Sequence, residues 1–227
     1  MGKLETCRNF DRLYGRVKNR ALTKRQSWLY EFLLPSISIT SFDPSQYSAY
    51  RSISLEIGFG SGEHLCQFAI ANPDKLFIGC EFFVNGIASL LSKIDEGKIQ
   101  NIRIFQGDAR KLLPEIPDDF FEYIFLLFPD PWPKRKHTYR RFVQEKTMFE
   151  IYRILQKGGI FRIATDCLQY SNWITNVFSA PIFDKKFEIK KFLHDFRPPE
   201  SDWPKTRYEQ KSTSECTFFS IEKLSSL

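Results

Sequence analysis

A chain of 227 residues, 42% hydrophobic and 26% charged with a net charge of +6, is long enough for one large domain and too apolar for wholesale disorder. Its longest unbroken run of aromatic and aliphatic residues, Tyr123 to Phe128, falls far short of the about 20 that a membrane span needs, and no apolar stretch follows the N-terminal charges of a secretory signal. Five scattered cysteines (Cys7, Cys66, Cys80, Cys167, Cys216) with no C-x-x-C pair argue against a disulfide framework and a clustered zinc site, and read as small apolar residues in a reducing, cytoplasmic setting.

The predicted elements begin with a basic arm. Residues 1–30 hold eight Lys or Arg against Glu5 and Asp11, so the remaining 197 residues are neutral. A cationic head on a neutral body suits either a polyanion partner or a solvated terminus. Thr23 is placed to cap a helix through Trp28, Leu29, Phe32 and Leu33 to Pro35. Residues 35–52, rich in Ser, Pro and Tyr, read as a linker, which divides the chain into an arm and helix (1–35) and a main domain (36–227). Strands are then expected at 53–57, 76–80, 102–105, 121–128 and 160–164. Helices are expected from the glycine loop to about Asn72, at 84–94, at 144–155 with Gly158–Gly159 as the stop, and at 168–178. Two late strands, 187–192 and 217–221, complete the pattern. Alternating strands and helices imply an α/β fold, a mostly parallel Rossmann-like sheet with helices on both faces, and the run at 121–128 is apolar enough to be central.

Ligands of such sheets sit beyond the carboxyl ends of the strands. Four features fall there. Leu55-Glu56-Ile57-Gly58-Phe59-Gly60-Ser61-Gly62 closes the first strand, and Glu81 closes the second, 23 residues after Gly58 and suitably placed for ribose hydroxyls. Gly107-Asp108-Ala109 closes the third, and the turn at Asp130 the fourth. The glycine spacing is G-x-G-x-G rather than the dinucleotide G-x-G-x-x-G, and Glu56 would repel a pyrophosphate. The same carboxylate suits S-adenosylmethionine, which carries an ammonium and a sulfonium. Taken singly, each acid reads equally well as a structural carboxylate.

Phe128-Pro129-Asp130-Pro131-Trp132-Pro133-Lys134 places three prolines in five positions, which stiffens the presentation of Asp130, Trp132 and Lys134. Lys134, Arg135, Lys136, His137, Arg140 and Arg141 follow within eight acid-free residues. Together with Leu55-Glu-Ile-Gly58 upstream and Thr206-Arg-Tyr-Glu209 downstream, this segment resembles the tRNA (guanine-N7-)-methyltransferases, over about residues 53–223. The resemblance implies a class I methyltransferase fold with a seven-stranded sheet, S-adenosylmethionine as donor, and a variable-loop guanosine of tRNA (position 46) as acceptor. It places Glu56, Gly58, Gly60, Gly62, Glu81, Asp108 and Asp130 around the donor, with Asp130 also catalytic. It places Lys134, Asp166, Thr206, Arg207, Tyr208 and Glu209 against the RNA, and the basic cluster adds Lys136, Arg140 and Arg141 as substrate contacts. The family often has His where Pro133 stands and Lys-Phe where Arg207-Tyr208 stand.

The chemistry is consistent with those residue types. Guanine N7 carries a free lone pair and no proton, so its attack on a methyl group needs no general base. None of His64, His137 and His194 is therefore assigned to catalysis. Glu209 could accept from N1–H and the exocyclic amine of a flipped base, with Trp132 or Tyr208 stacking on it. Residues 197–207 have the composition of a loop that closes over the base. No metal, no membrane and no obligatory partner subunit are expected, and the chain would act as a monomer or homodimer. Three rivals remain at this stage: a nicotinamide-dependent oxidoreductase, a non-enzymatic RNA-binding protein and a methyltransferase of small molecules.

Overall fold

The computed structural model describes residues 20–193 and 215–225. The seven strands are β1 (Ile53–Ile57), β2 (Leu76–Glu81), β3 (Ile102–Gln106), β4 (Phe121–Leu127), β5 (Leu155–Thr165), β6 (Phe187–Leu193) and β7 (Thr217–Lys223). They form one sheet in the order β3-β2-β1-β4-β5-β7-β6. β1 pairs in parallel with β2 and β4, and β4 with β5, whereas β7 runs antiparallel to both β5 and β6. Every residue of β1 and β2 is buried, so both faces of these strands are covered. The strand order turns outward in both directions from β1 and β4. Their carboxyl ends part at that point and leave a crevice.

Helices cover both faces. The helices are α1 (Lys24–Phe32), α2 (Leu34–Ile37), α3 (Glu63–Ala71), α4 (Val84–Gly97), α5 (Ala109–Leu112), α6 (Glu145–Ile154) and α7 (Leu168–Phe178). Met148 and Ile151 of α6 and Tyr170 and Ile174 of α7 pack on Leu55, Ile78, Ile124 and Phe161. On the opposite face, Leu65 of α3 and Ile87, Leu90 and Leu91 of α4 pack on Phe77 and Ile104. Burying one such Leu or Ile is worth about 1.5–3 kcal/mol, so either layer alone carries a large share of the stability.

Two expectations need correction. Residues 35–52 are not a linker. Pro35 opens α2 rather than ending α1, Ser38 bridges to Ile104 of β3, and Ile39 and Tyr47 are buried. Apolar side chains spaced among serines carry this packing, and composition alone hides it. Second, Gly158–Gly159 does not stop a helix: α6 ends at Ile154 and the pair lies inside β5, with Gly158 at φ +71. The pairing of β5 with β4 shifts register between Phe121 and Tyr123, so the glycines accommodate a bulge. Helix α1 packs on α4, its Leu29 sharing a core with Leu90 and Leu91. Thr23 does cap α1, exchanging bonds with Gln26 in a capping box.

Candidate functional site: a cavity at the split of the sheet

The glycine loop is built to be approached. Gly58, Gly60 and Gly62 all have positive φ (+73, +56 and +75), and α3 starts directly after them. The amide of Gly60 donates to Glu81 Oε2 at 2.9 Å. The amides of Phe82 and Phe83 donate to its Oε1 at 2.8 and 3.0 Å. A carboxylate has about four acceptor positions, so one is left for an outside donor such as a hydroxyl. Burial raises the Glu81 carboxyl above its ordinary value, and the three amide bonds oppose that rise. Helix α4 clamps the loop from above. A Cβ on Gly86 would stand 2.4 Å from the carbonyl oxygen of Gly60, so only glycine permits this approach. Lys93 Nζ donates to the carbonyl of Ser61 at 2.7 Å.

A cavity of about 600 Å³ opens where β1 and β4 part. Gly58, Glu81, Asp108 and Asp130 line it, with Phe128 and Trp132 at one side. Asp108 caps α5 by accepting from the amide of Arg110 at 3.0 Å, and the Arg110 side chain returns to grip both its oxygens. Asp130 differs from the other acids: among the described residues its carboxylate meets no hydrogen-bond or ion-pair partner. Its side chain reaches solvent, but neighbouring groups desolvate it and raise its carboxyl above the usual aspartate value. A carboxylate so displaced in a cleft is a functional candidate.

The turn that carries Asp130 is strained. Phe128 and Trp132 both lie in the left-handed region, at φ +50 and +42. Each such residue costs about 1–2 kcal/mol, which the surroundings must offset. The basic run then forms a short 3-10 turn, Arg135–Arg140, in which Lys134, Arg135 and Lys136 are exposed. Arg140 lies over the Trp132 ring, 4.8 Å from its centroid, and also lines the cavity. His137 is edge-on to Trp132, and slight desolvation plus Arg140, Lys136 and Lys134 hold its imidazole below the ordinary value.

Several expected site residues are placed otherwise. Glu56 does not line the cavity. It is buried on the face covered by α3, where Oε2 lies 2.8 Å from His64 Nδ1. Strand alternation sends Glu56 to the opposite face from Leu55 and Ile57. Gly60 and Gly62 shape the loop without lining the cavity, and half-buried Asp166 closes β5 outside the lining. Arg141 is not a surface cation: it is 4% exposed and turned inward beneath the proline-rich turn. Thr206, Arg207, Tyr208, Glu209, His194, the loop 197–207 and most of the basic arm lie outside the described residues.

The match to known proteins is extensive. A family model described as a putative methyltransferase covers residues 50–217. The chain is 41% identical over 210 residues to the tRNA (guanine-N(7)-)-methyltransferase of Paramagnetospirillum magneticum, spanning 88% of this chain and 87% of that protein. It is 40% identical over 206 residues to the protein of that name from Zymomonas mobilis, spanning 88% of each. The chain belongs to the tRNA (guanine-N7-)-methyltransferase family. The fold has wider company at low identity. An rRNA methylase from Streptococcus thermophilus superposes with a TM-score of 0.54 at 13% identity, over 90% of this chain and all (100%) of that one. A 30S ribosomal A1408 methyltransferase from an uncultured bacterium gives 0.55 at 19%, over 82% of this chain and 96% of its own.

Three contacts that brace the strand ends and the glycine loop carry little signal in the sequence. Arg110 neutralises Asp108 from two residues away, His64 holds Glu56, and Lys93 ties the glycine loop to α4. The G-x-H spacing from Gly62 to His64 and the acid-to-arginine interval at 108–110 were the available signals.

Proposed function

We propose that this chain transfers the methyl group of S-adenosylmethionine to N7 of a variable-loop guanosine (position 46) in tRNA. The observation that carries the reading is the cavity at the split of the sheet, where Glu81, Asp108 and an Asp130 with no hydrogen-bond or ion-pair partner among the described residues converge beside an exposed basic turn. The donor fits these residues. Glu81 keeps one acceptor position for a ribose hydroxyl, Asp108 closes the adenine side, and Asp130 offers its carboxylate to the cationic end. When bound, the donor supplies an electrophilic methyl group on a sulfonium.

The protein's own residues then have three tasks. Asp130 orients the reacting groups and stabilises positive charge as it passes to the base. Trp132 and Arg140 border the acceptor side, while Lys134 and Lys136 lie at the surface for backbone phosphates. No residue has to take a proton, because N7 has none to give. Orientation is the dominant contribution, worth about 7–11 kcal/mol in favourable cases. Thr206 to Glu209, which lie outside the described residues, contact the acceptor, with Glu209 reading the Watson–Crick edge and Tyr208 stacking. Residues 1–35 act as the RNA-gripping arm and helix and residues 36–227 as the transfer domain, in the cytoplasm, as a monomer or homodimer without an obligatory partner subunit.

The test is mass mapping of bulk tRNA after incubation with the protein and methyl-labelled donor. Label on N7 of a variable-loop guanosine is the expected result. Label on another atom, or none, overturns the reading.

A further inference from the structure

We propose that Arg141 is a positioning residue, a buried cationic brace that holds the Asp130–Trp132 turn in its reactive geometry, and not a phosphate contact. This rests on the reading of Asp130 as the residue at the site of transfer.

Arg141 sits at the end of the basic run, and charge alone groups it with Arg140. The structure separates them. The Arg141 Nε donates to the carbonyl of Pro131 at 2.8 Å, and Nη2 donates to the carbonyl of Trp132 at 3.3 Å. Its guanidinium lies over two rings of α7, with centroids 5.3 Å (Tyr170) and 4.8 Å (Trp173) away. Those rings are themselves fixed. Trp173 Nε1 donates to the carbonyl of Val143 at 2.7 Å, and Tyr170 Oη accepts from the amide of Val143 at 3.3 Å. Among the described residues no carboxylate pairs with Arg141. A cation that served as a counter-ion or reached for RNA would not be packed this way.

The turn needs such a brace. Pro129, Pro131 and Pro133 have no amide hydrogens, so the turn cannot close on itself with the usual backbone bonds. Two left-handed residues, Phe128 and Trp132, flank Asp130. The Phe128 amide is anchored to the carbonyl of Ala164 at 2.8 Å, which fixes one end. Arg141 fixes the other by satisfying two inward-facing carbonyls with one rigid planar fork. Lysine lacks that fork and reaches one carbonyl at most. The aromatic pair on α7 thus sets the aim of a carboxylate on a different element.

The experiment compares wild type, Arg141→Met, Arg141→Lys and Trp173→Leu, measuring kcat, KM for tRNA and the salt dependence of tRNA binding. Misaiming reacting groups by about 1 Å can cost roughly 10²-fold, so Arg141→Met is expected to lose kcat on that order. KM for tRNA and the salt slope should stay at their wild-type values. Arg141→Lys recovers part of the loss, and Trp173→Leu, which removes one face of the stack, shows a smaller fall in kcat of the same kind. If Arg141→Met does not fold, Arg141→Lys and Trp173→Leu decide. A lowered kcat at steady KM in both supports the brace. Unchanged kcat in the folded variants, or a raised KM with a salt slope reduced by about one, overturns it. Wild-type turnover on tRNA, run alongside, separates failure of this inference from failure of the functional reading.

Discussion

Replacing Asp130 by asparagine separates what the carboxylate does for the reaction from what it does to the fold. Neighbouring groups raise its carboxyl above the ordinary value, so the folded chain binds that proton more tightly than the unfolded chain does. The stability it contributes is complete below the ordinary aspartate range, near pH ~3.9, and is lost as pH rises through the raised value. At neutral pH the ionised side chain is therefore a burden on the fold. Asp130→Asn is expected to raise Tm at pH 7 and leave it unchanged near pH ~3, while kcat falls by roughly 10²-fold. A gain of equal size at both pH values would exclude burial as the cause. In the wild type, kcat should climb with pH to a plateau reached above the raised value. At this scale the acids at the strand ends could be found from residue type and position, because strands of an α/β sheet deliver their last residues to one edge. Their partners could not. Arg140 and Arg141 are identical in charge and adjacent in sequence, and it is the rings of Tyr170 and Trp173, three residues apart on α7, together with the carbonyls of Pro131 and Trp132, that hold one inward.

Helix α4 ends on Lys98, which takes up the left-handed conformation at φ 50 that glycine usually fills at this position. Its side chain is 80% exposed in its ion pair with Asp95, and such surface pairs are worth little. Lys98→Gly should therefore stabilise the protein by roughly 0.5–1 kcal/mol, read as a higher urea midpoint at unchanged slope. An unchanged or lower midpoint would mean that the glycine's unfolded-state entropy outweighs the relief of strain. The strands and longer helices follow from apolar period and from glycine and proline punctuation, and the structure places them within a few residues of that pattern. What the pattern misses are segments whose hydrophobic residues come singly. Ile39 and Tyr47 are buried from a Ser- and Pro-rich stretch, and no period marks them. The paired glycines at 158–159 mislead for a related reason: a bulge inside β5 and a helix stop use the same residue type.

Across the whole molecule the charge is uneven, with all of the net +6 in residues 1–30. RNA affinity should fall steeply with salt. Removal of residues 1–22 takes away six cations and should flatten the slope of log K against log salt by up to about five. An unaltered slope would show that the arm makes no phosphate contacts. The described residues add where this arm is tied. Asn85 Nδ2, one residue before the glycine that packs on Gly60, donates to the carbonyl of Arg20 at 3.0 Å. The root of the cationic segment is thus tied to the first turn of α4, beside the glycine loop. Nineteen residues span at most about 65 Å whatever their conformation. If residues 1–19 grip phosphates, those phosphates lie within that span of Arg20, so the grip on the RNA stays local to the glycine loop that α4 covers.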